Sequence, residues 1–427
     1  MEYFPKVLIV SSYDMNARDN QGSITIGSYF DSWPQESISQ VVCGIFNVEK
    51  RGKVNRNTFV LSVGDIFILN RWLENKRTAK ASGDDLLPVI SRQSTVYYRI
   101  KENIRRFFTT TSELFPYNFS KELFQFINDF NPEYIYSTID RAQVILLVDE
   151  IRLRTGVKIA PHFMDDFPNT IFKSPLTFFH RKYILNKLNN LVKSSKICFC
   201  ISKSMCEEYK KRYFKNNFYV LMNCVEKYQG DLTKYRIKND KFVFFYAGGL
   251  HLKRDSILLI LCNYLSKTID RELVFNIYTS ERDWAQCKES FSNFSFINYH
   301  GYKSVEEINQ SMLKSDVLVF LESFDQAVKD YTRYSISTKI PEYLSTGVKI
   351  LAIGPPDVGS IAYLKNNDAS YVIDDLTNDE IFDIELNKIF SGFGDEDIIR
   401  NACNLFHKNH TKADNVKSLQ NILLNCK

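Results

Sequence analysis

The sequence predicts an α/β protein with two doubly wound, Rossmann-like domains. Three observations predict it. First, two short apolar runs, Lys6-Val7-Leu8-Ile9-Val10 and Phe242-Val243-Phe244-Phe245-Tyr246, each lead into a glycine-bearing loop and then a helical pattern. Strand, glycine loop and helix make the opening unit of a doubly wound domain. Second, residues 226–240 between the two halves turn polar and charged, as a domain linker does. Third, Ser335 to Pro356 reads as loop, short helix, glycine stop and buried strand. That puts a helix start beside the carboxyl ends of parallel strands, where unpaired N–H groups and the helix dipole favour a phosphate.

The totals bound the answer. A chain of 427 residues suggests two or three domains. Hydrophobic residues at 44% and charged residues at 25% fit an ordinary globular protein. A net charge of +5 does not point to nucleic acid, but it permits an anionic ligand or an anionic membrane surface. Nine cysteines without paired metal spacing suit a reducing cytoplasm. No apolar run reaches the length of a membrane span. The apolar core of Met1–Val10 is too short for a signal peptide.

In the first half, a polar loop after Val10 runs to Gly22-Ser23, and a helix is expected from about Ile24 to Phe30. Gly22 would let a ligand approach the backbone closely, though it also fits a plain turn. No full G-x-G-x-x-G is present, so a dinucleotide site is not indicated. Gln40–Phe46 reads as a strand, and Phe59–Leu69 fits strand or helix. Tyr97, Tyr98, Arg99, Lys101, Arg105, Arg106, Phe107 and Phe108 form a basic aromatic helix, suited to a lipid headgroup layer or to a solvated face.

Tyr134–Ser137 is a strand, Ala142–Arg152 a helix and Val157–Ala160 another strand, ending in Pro161-His162-Phe163-Met164-Asp165-Asp166. Catalytic groups collect at strand ends in open sheets. His162, Asp165 and Asp166 are therefore candidates for base, charge stabiliser or acceptor-hydroxyl ligand. An Asp-Asp pair also fits a turn or cap. Phe178–Lys193 is a second basic helix, with His180, Arg181, Lys182, Lys187 and Lys193 among aromatic and aliphatic residues, and a second candidate for membrane contact. Ser202 is placed to cap the helix after the Lys196–Cys200 strand.

In the second half, the Lys241–Tyr246 strand runs into Ala247-Gly248-Gly249 and then Lys253-Arg254 at the opening of a helix. Gly248 and Gly249 let a phosphate come close, and Lys253 and Arg254 offset its charge. Leu273–Tyr278 and Phe294–Tyr299 are strands, and Tyr302 after the second can stack on a base or simply be half-buried. Asp316–Leu321 is a strand. A polar loop from Phe324 to Tyr334 follows, of a length that is often functional. Ser337 or Thr338 caps the next helix, Lys339 adds a positive charge, and Glu342 lies one turn in, within reach of a ribose hydroxyl. Ser370–Ile373 is the last strand, and Lys412–Cys426 a final helix.

Gly248-Gly249…Lys253-Arg254, His300-Gly301-Tyr302, Ser315–Val319 and Ser337-Thr338-Lys339-Ile340-Pro341-Glu342-Tyr343-Leu344-Ser345-Thr346-Gly347 in this order resemble the C-terminal half of GT-B glycosyltransferases. The likeness is greatest to the retaining "group 1" family of bacterial surface-polysaccharide synthesis. His162-Phe-Met-Asp165-Asp166 and Ile201–Tyr209 match that family's looser N-terminal landmarks. The resemblance implies two Rossmann-like domains facing across a cleft. Residues 1–225 would form the acceptor side, 226–240 the linker, 241–410 the nucleotide-sugar domain, and 411–427 a helix crossing back. It implies that Glu342 contacts the ribose, and that Lys253 or Arg254 with the backbone at Ser337–Thr338 holds the diphosphate. Tyr302 would line the base pocket, and Gly22 would border the phosphates. Two positions depart from the family pattern. Tyr334 stands where a first glutamate is usual, and Gly249 where an arginine is usual.

The implied chemistry is sugar transfer from a nucleotide-diphosphate-sugar to a hydroxyl of a glycan or lipid-linked acceptor, with retention of configuration. It would serve capsule, O-antigen or exopolysaccharide synthesis in the cytoplasm, free or peripheral at the inner face of the cell membrane. The nucleotide-sugar is a co-substrate and no further cofactor is expected. Cations and helix dipoles would stabilise the departing diphosphate without a metal. A nucleotide-sugar epimerase and a non-catalytic nucleotide-sugar-binding partner in an assembly complex are the alternatives.

Overall fold

A computed structural model of the chain describes residues 3–17, 20–44, 52–62, 65–66, 111, 113–226, 241–268 and 271–426. The basic aromatic helix expected at 97–108 and the linker beyond Glu226 lie outside the described residues. The chain forms two compact units, Met1–Leu221 with Val416–Lys427, and Met222–Asn415.

The first unit is an eight-stranded sheet. Its strands are β1 (Val7–Ser11), β2 (Ile38–Cys43), β3 (Gly52–Asn55), β4 (Thr58–Leu61), β5 (Tyr134–Ser137), β6 (Lys158–Phe163), β7 (Cys198–Cys200) and β8 (Phe218–Val220). The order is β3-β4-β2-β1-β5-β6-β7-β8. Every pair is parallel except β3–β4. Helices α1 (Gln21–Phe30), α2 (Lys121–Phe130), α3 (Ala142–Thr155), α4 (Phe167–Thr170), α5 (Phe178–Ser194) and α6 (Lys203–Tyr213) connect them. β1 is buried along its whole length, which is why it reads as one continuous apolar run. The terminal residues join this unit: the Tyr134 hydroxyl donates to the Leu423 carbonyl at 2.8 Å.

The second unit has a six-stranded sheet of order β11-β10-β9-β12-β13-β14, all parallel. The strands are β9 (Phe242–Ala247), β10 (Leu273–Tyr278), β11 (Ile297–Tyr299), β12 (Val317–Leu321), β13 (Lys349–Ile353) and β14 (Tyr371–Ile373). Its helices are α7 (Arg254–Thr268), α8 (Glu281–Phe291), α9 (Val305–Leu313), α10 (Gln326–Thr332), α11 (Lys339–Leu344), α12 (Gly359–Lys365), α13 (Asp379–Ser391) and α14 (Asp395–Asn409); α15 (Lys412–Asn425) runs on into the first unit. This is the 3-2-1-4-5-6 order of a Rossmann sheet, whose switch point lies between β9 and β12. There the ladder is short: β9 and β12 pair only at Phe244–Val317 and Phe245–Leu318, whereas β9 and β10 pair over six residues. The carboxyl ends of β9 and β12 therefore part.

Four local expectations are corrected. α1 starts at Gln21, not near Ile24, because Asn20 and Ser23 form a reciprocal capping box. β6 runs on to Phe163, so Pro161 and His162 belong to the strand rather than following it. The polar stretch after Phe324 is not all loop: Asp325 accepts from the Ala327 and Val328 amides and starts α10. Thr338 makes no side-chain cap on α11. The Ser337 hydroxyl takes part of that role, accepting from the Lys339 amide at 3.4 Å.

Candidate functional site

The site of the second unit grows from the switch point. β9 ends in Gly248, which has φ +146°. α11 starts beside it, and its first residue, Lys339, reaches back over the turn. A Cβ on Gly248 would come within 1.7 Å of the Lys339 Nζ, so only glycine leaves room for the ammonium. That ammonium sits 4.9 Å from the centroid of the Tyr246 ring, a cation–π contact. Tyr343 on the same helix donates its hydroxyl to the Val319 carbonyl at 3.4 Å, in the parted section of the ladder.

Arg254, the first residue of α7, spans to the other side of the switch point. Its Nε donates to the Leu321 carbonyl at 3.1 Å and its Nη2 pairs with the buried Glu322 at 3.3 Å. Burial works against its charge, but Glu322 and Tyr246 together outweigh burial and the guanidinium is held above its ordinary range. Among the described residues, Lys339 has no such partner at hydrogen-bond distance. Burial pulls its ammonium down to about 7, and the nearby Arg254 charge adds to the fall. Burial pushes Glu342 up to about 7, against the pull of Lys339. Arg254 is tied to Glu322, but Lys339 has no bonded anion among the described residues and the nearby Glu342 is itself pushed towards neutrality, so a diphosphate would supply the missing negative partner.

The loop leading into α11 is fixed from both sides. The Ser337 amide donates to Ser360 Oγ at 3.0 Å, and Asn223 Nδ2 donates to the Ile336 carbonyl at 2.7 Å. Gly249 is also packed tight, since a Cβ there would meet the His251 ring at 2.2 Å. Lys253 stands apart from the cluster. Its backbone is left-handed at φ +59° and its Nζ pairs with Asp325 at the start of α10. Tyr302 follows the edge strand β11 and is 85% exposed, with no contact tying it to the Arg254–Lys339 cluster.

In the first unit the three catalytic candidates separate. His162 is fully buried among Tyr29, Tyr136 and Phe199, and its Nδ1 shares a 2.6 Å hydrogen bond with the Tyr136 hydroxyl. Burial pulls its imidazolium down to about 3, so it is a neutral core residue. Asp166 is also buried. It accepts from Arg212 at 2.7 and 3.2 Å and from the Tyr209 hydroxyl at 2.8 Å, which pins α6 to the end of β6. Both side chains are buried. Asp165 remains partly exposed and acts electrostatically on Tyr13. Gly22 lies in the first turn of α1, where a Cβ would meet the Tyr13 ring at 2.6 Å, so Tyr13 occupies the approach expected for a ligand.

Sequence reasoning missed Asp140. It follows β5, at this sheet's own switch point between β1 and β5. Ser12, after β1, donates to its Oδ1 at 3.2 Å, while its buried Oδ2 has no hydrogen-bond partner. Burial raises its pKa, against a downward pull from Arg141. The residue before it, Ile139, sits at φ +45°, a strained position for a β-branched side chain. The signal was a carboxylate just beyond Tyr134–Ser137, within Thr138-Ile139-Asp140. Among the described residues no group of three His, Cys, Asp or Glu is arranged for a metal.

Two sheets, parallel apart from the β3–β4 edge pair and each with a polar cluster at its switch point, define a tandem Rossmann-like class of protein. No protein-family model matches the sequence, and neither does any curated protein. Solved structures do match. HepE of Anabaena in complex with UDP is similar over 98% of this chain and 100% of its own, at 11% identity and a TM-score of 0.62. Sucrose-phosphate synthase from Thermosynechococcus elongatus is similar over 98% of both chains, at 8% identity and 0.64. WaaG, a glycosyltransferase involved in lipopolysaccharide biosynthesis, is similar over 98% and 99%, at 11% identity and 0.57. At these identities the likeness is one of fold, and the fold is that of the GT-B glycosyltransferases.

Proposed function

We propose that this chain is a glycosyltransferase that moves a sugar from a nucleotide-diphosphate-sugar to a hydroxyl of a glycan or lipid-linked acceptor in bacterial surface-polysaccharide synthesis. One observation carries the reading: Lys339 and Arg254 converge at the parted ends of β9 and β12, where Glu322 is tied to Arg254 and no carboxylate among the described residues is hydrogen-bonded to Lys339. The diphosphate is the group that such a cluster lacks. Glu342, one turn further along α11, is the ribose contact. HepE, solved in complex with UDP and with UDP-glucose, supports a uridine nucleotide-sugar as the first donor to try.

Glycosyl transfer breaks the bond from the anomeric carbon to the diphosphate oxygen, so negative charge grows on the leaving group. Lys339, protonated once the anion is bound, and Arg254 stabilise that charge from fixed positions. The side chains supply this charge themselves, so activity is expected to survive chelation. In the first unit, Asp140 and Asp165 take over the acceptor-side role assigned to the His162–Asp166 run. The nine free cysteines fit a reducing compartment such as the cytoplasm.

The test is a panel of UDP-, GDP-, ADP- and dTDP-sugars offered with and without glycan acceptors, with products read by mass spectrometry and NMR. Transfer with retained anomeric configuration is the expected result. Epimer or free sugar formed equally well without acceptor would overturn the transferase reading. An inverted anomer would overturn retention alone.

A further inference from the structure

The first unit holds a cavity of about 600 Å³ that belongs to neither switch point. It lies against β2 and β4, and its walls are the end of α1, the single 3-10 turn Gln35–Ser37 and the tip of the β3–β4 hairpin. Among the described residues none from β5 lines it, so it is a different place from the Ser12–Asp140 contact between β1 and β5. Its size falls within the range of about 300–1,000 Å³ usual for small-molecule sites.

The walls are braced. Trp33, just after α1, packs edge to face on Phe30 at 5.3 Å and on Phe4 at 5.1 Å. Gln40 Oε1 accepts from the Met15 amide at 3.2 Å, and its Nε2 donates to Asp14 Oδ1 at 2.8 Å and to Thr58 Oγ1 at 3.2 Å. These bonds hold the loop after β1 down on the sheet. The Asn57 amide donates to Asn55 Oδ1 at 2.9 Å, and its Nδ2 donates to the Gln35 carbonyl at 2.8 Å, which ties the hairpin tip to the turn before β2. A frame bonded on each side keeps its shape for a ligand.

The polar side chains of this frame are not equally satisfied. Gln40 and Thr58 are buried and bonded to each other. Trp33 is only 4% exposed, and its Nε1 has no acceptor among the described residues. A buried indole N–H usually finds a partner, because without one it forfeits the bond it made to water. At the rim, Asn16, Glu36 and Arg56 are exposed, and among the described residues their side chains make no hydrogen bond or ion pair.

The lining selects the ligand. Asn16, Gln35 and Asn55 carry amides, which both donate and accept. Asp31 and Glu36 outweigh the one cation, Arg56, so the rim disfavours a phosphate or a nucleoside diphosphate. Phe30 and Ile38 add apolar wall beside the indole. A sugar ring matches this set, with hydroxyls that donate and accept around its edge and C–H faces that pack on apolar groups.

We propose that this cavity is a carbohydrate site, separate from the Asp140 region, that holds a short segment of a neutral glycan on the first unit. Trp33 Nε1 donates to a sugar oxygen at the base, and Asn16, Glu36 and Arg56 bond hydroxyls at the rim. The inference uses no residue of the donor site and stands whether or not the chain transfers sugar.

The chain has three tryptophans, Trp33, Trp72 and Trp284, whose indole N–H signals can be followed by proton–nitrogen NMR on the full-length protein. The Trp33 signal is the one that Trp33→Phe removes. Should that variant fold poorly, Trp72→Phe and Trp284→Phe identify it by elimination. The probes are glucose, galactose, mannose, rhamnose, N-acetylglucosamine and cellobiose, with inorganic phosphate and UDP as controls. Titration to about 50 mM reaches well past a Kd of about 1 mM. At least one sugar is expected to move the Trp33 signal saturably, while phosphate and UDP leave it in place. Asn16→Ala plus Arg56→Ala, both at exposed positions, is expected to weaken that binding at least about tenfold and to keep the melting temperature. A Trp33 signal that no sugar moves, one that phosphate or UDP moves as far, or unchanged sugar affinity in the double variant would overturn the proposal. None of these outcomes alters UDP binding by the second unit, so this inference and the transferase reading fail separately.

Discussion

Gly248 and Lys339 share one small volume: a Cβ on the glycine would stand 1.7 Å from the lysine's Nζ. Gly248→Ala therefore acts in two ways. It places a side chain at φ +146°, which costs about 1–2 kcal/mol. It also displaces the ammonium from the Tyr246 ring. The melting temperature is expected to fall by roughly 2–6 °C, by the size scaling of domain unfolding. UDP affinity in the same variant, read by calorimetry, is expected to fall about tenfold, the loss of one charge-assisted contact.

The Lys339–Glu342 pair makes a pH prediction. Glu342 titrates near 7 in the folded chain against 4.5 ordinarily. Between those values the folded state holds a proton that the unfolded state has released, so this group's stabilisation is lost as pH rises from 4.5 to 7. Lys339 titrates near 7 against 10.5. Between those values the unfolded state holds the extra proton, so stability rises with pH from 7 to 10.5. Together they predict a shallow minimum near neutrality in a urea-denaturation series from pH 4 to 10. Glu342→Gln removes the lower limb and Lys339→Met the upper. A bound diphosphate raises the Lys339 pKa, so UDP binding at pH 8 should take up a proton. Calorimetry in buffers of different ionisation enthalpy measures that uptake.

Asp166 and Arg212 form a pair with one fully buried member. Asp166→Ala takes the acceptor from the Tyr209 hydroxyl and leaves Arg212 only the longer Glu208 pair at 3.6 Å. Arg212 keeps some solvent contact, so the cost is about 2–3 kcal/mol, below the usual figure for breaking a buried pair. The first unit is expected to melt earlier while UDP affinity stays unchanged. Unaltered stability with abolished transfer would return Asp166 to catalysis.

Asp140 should show the opposite balance. Its folded pKa is raised, so above its ordinary value of 3.8 the folded state holds the extra proton, and this stabilisation is lost as pH rises through the folded pKa. Asp140→Asn keeps an acceptor for Ser12 and removes the buried charge. The variant is expected to melt higher than wild type at pH 8 and no higher at pH 3.5, while transfer to acceptor falls. A group kept at a cost in stability is the pattern expected at a functional site.

Much of this was legible in the sequence where the cause is local. The apolar runs at Val7 and Phe242 became central parallel strands because burial on both faces asks for unbroken hydrophobicity. Gly347 ends α11 with φ +67° as a helix-stop glycine does. What could not be read came from distant partners. Asp166 is claimed by Arg212, on the far side of α5 and β7 in the chain. His162 was expected beyond its strand, but pairing with Phe199 carries β6 on through it. Lys339 was visible as a charge at a helix start, but not its seat on Gly248, more than ninety residues earlier. Asp140 showed only as a carboxylate just beyond a strand, because its unpartnered oxygen is a property of the packed site.

The most direct test of the central claim is calorimetric titration of wild-type protein and Lys339→Met with UDP, GDP, ADP and dTDP at pH 7. The account predicts saturable binding of at least one nucleoside diphosphate, weakened at least about tenfold by the substitution. Equal affinity in the two proteins, or no binding of any of the four, would contradict it.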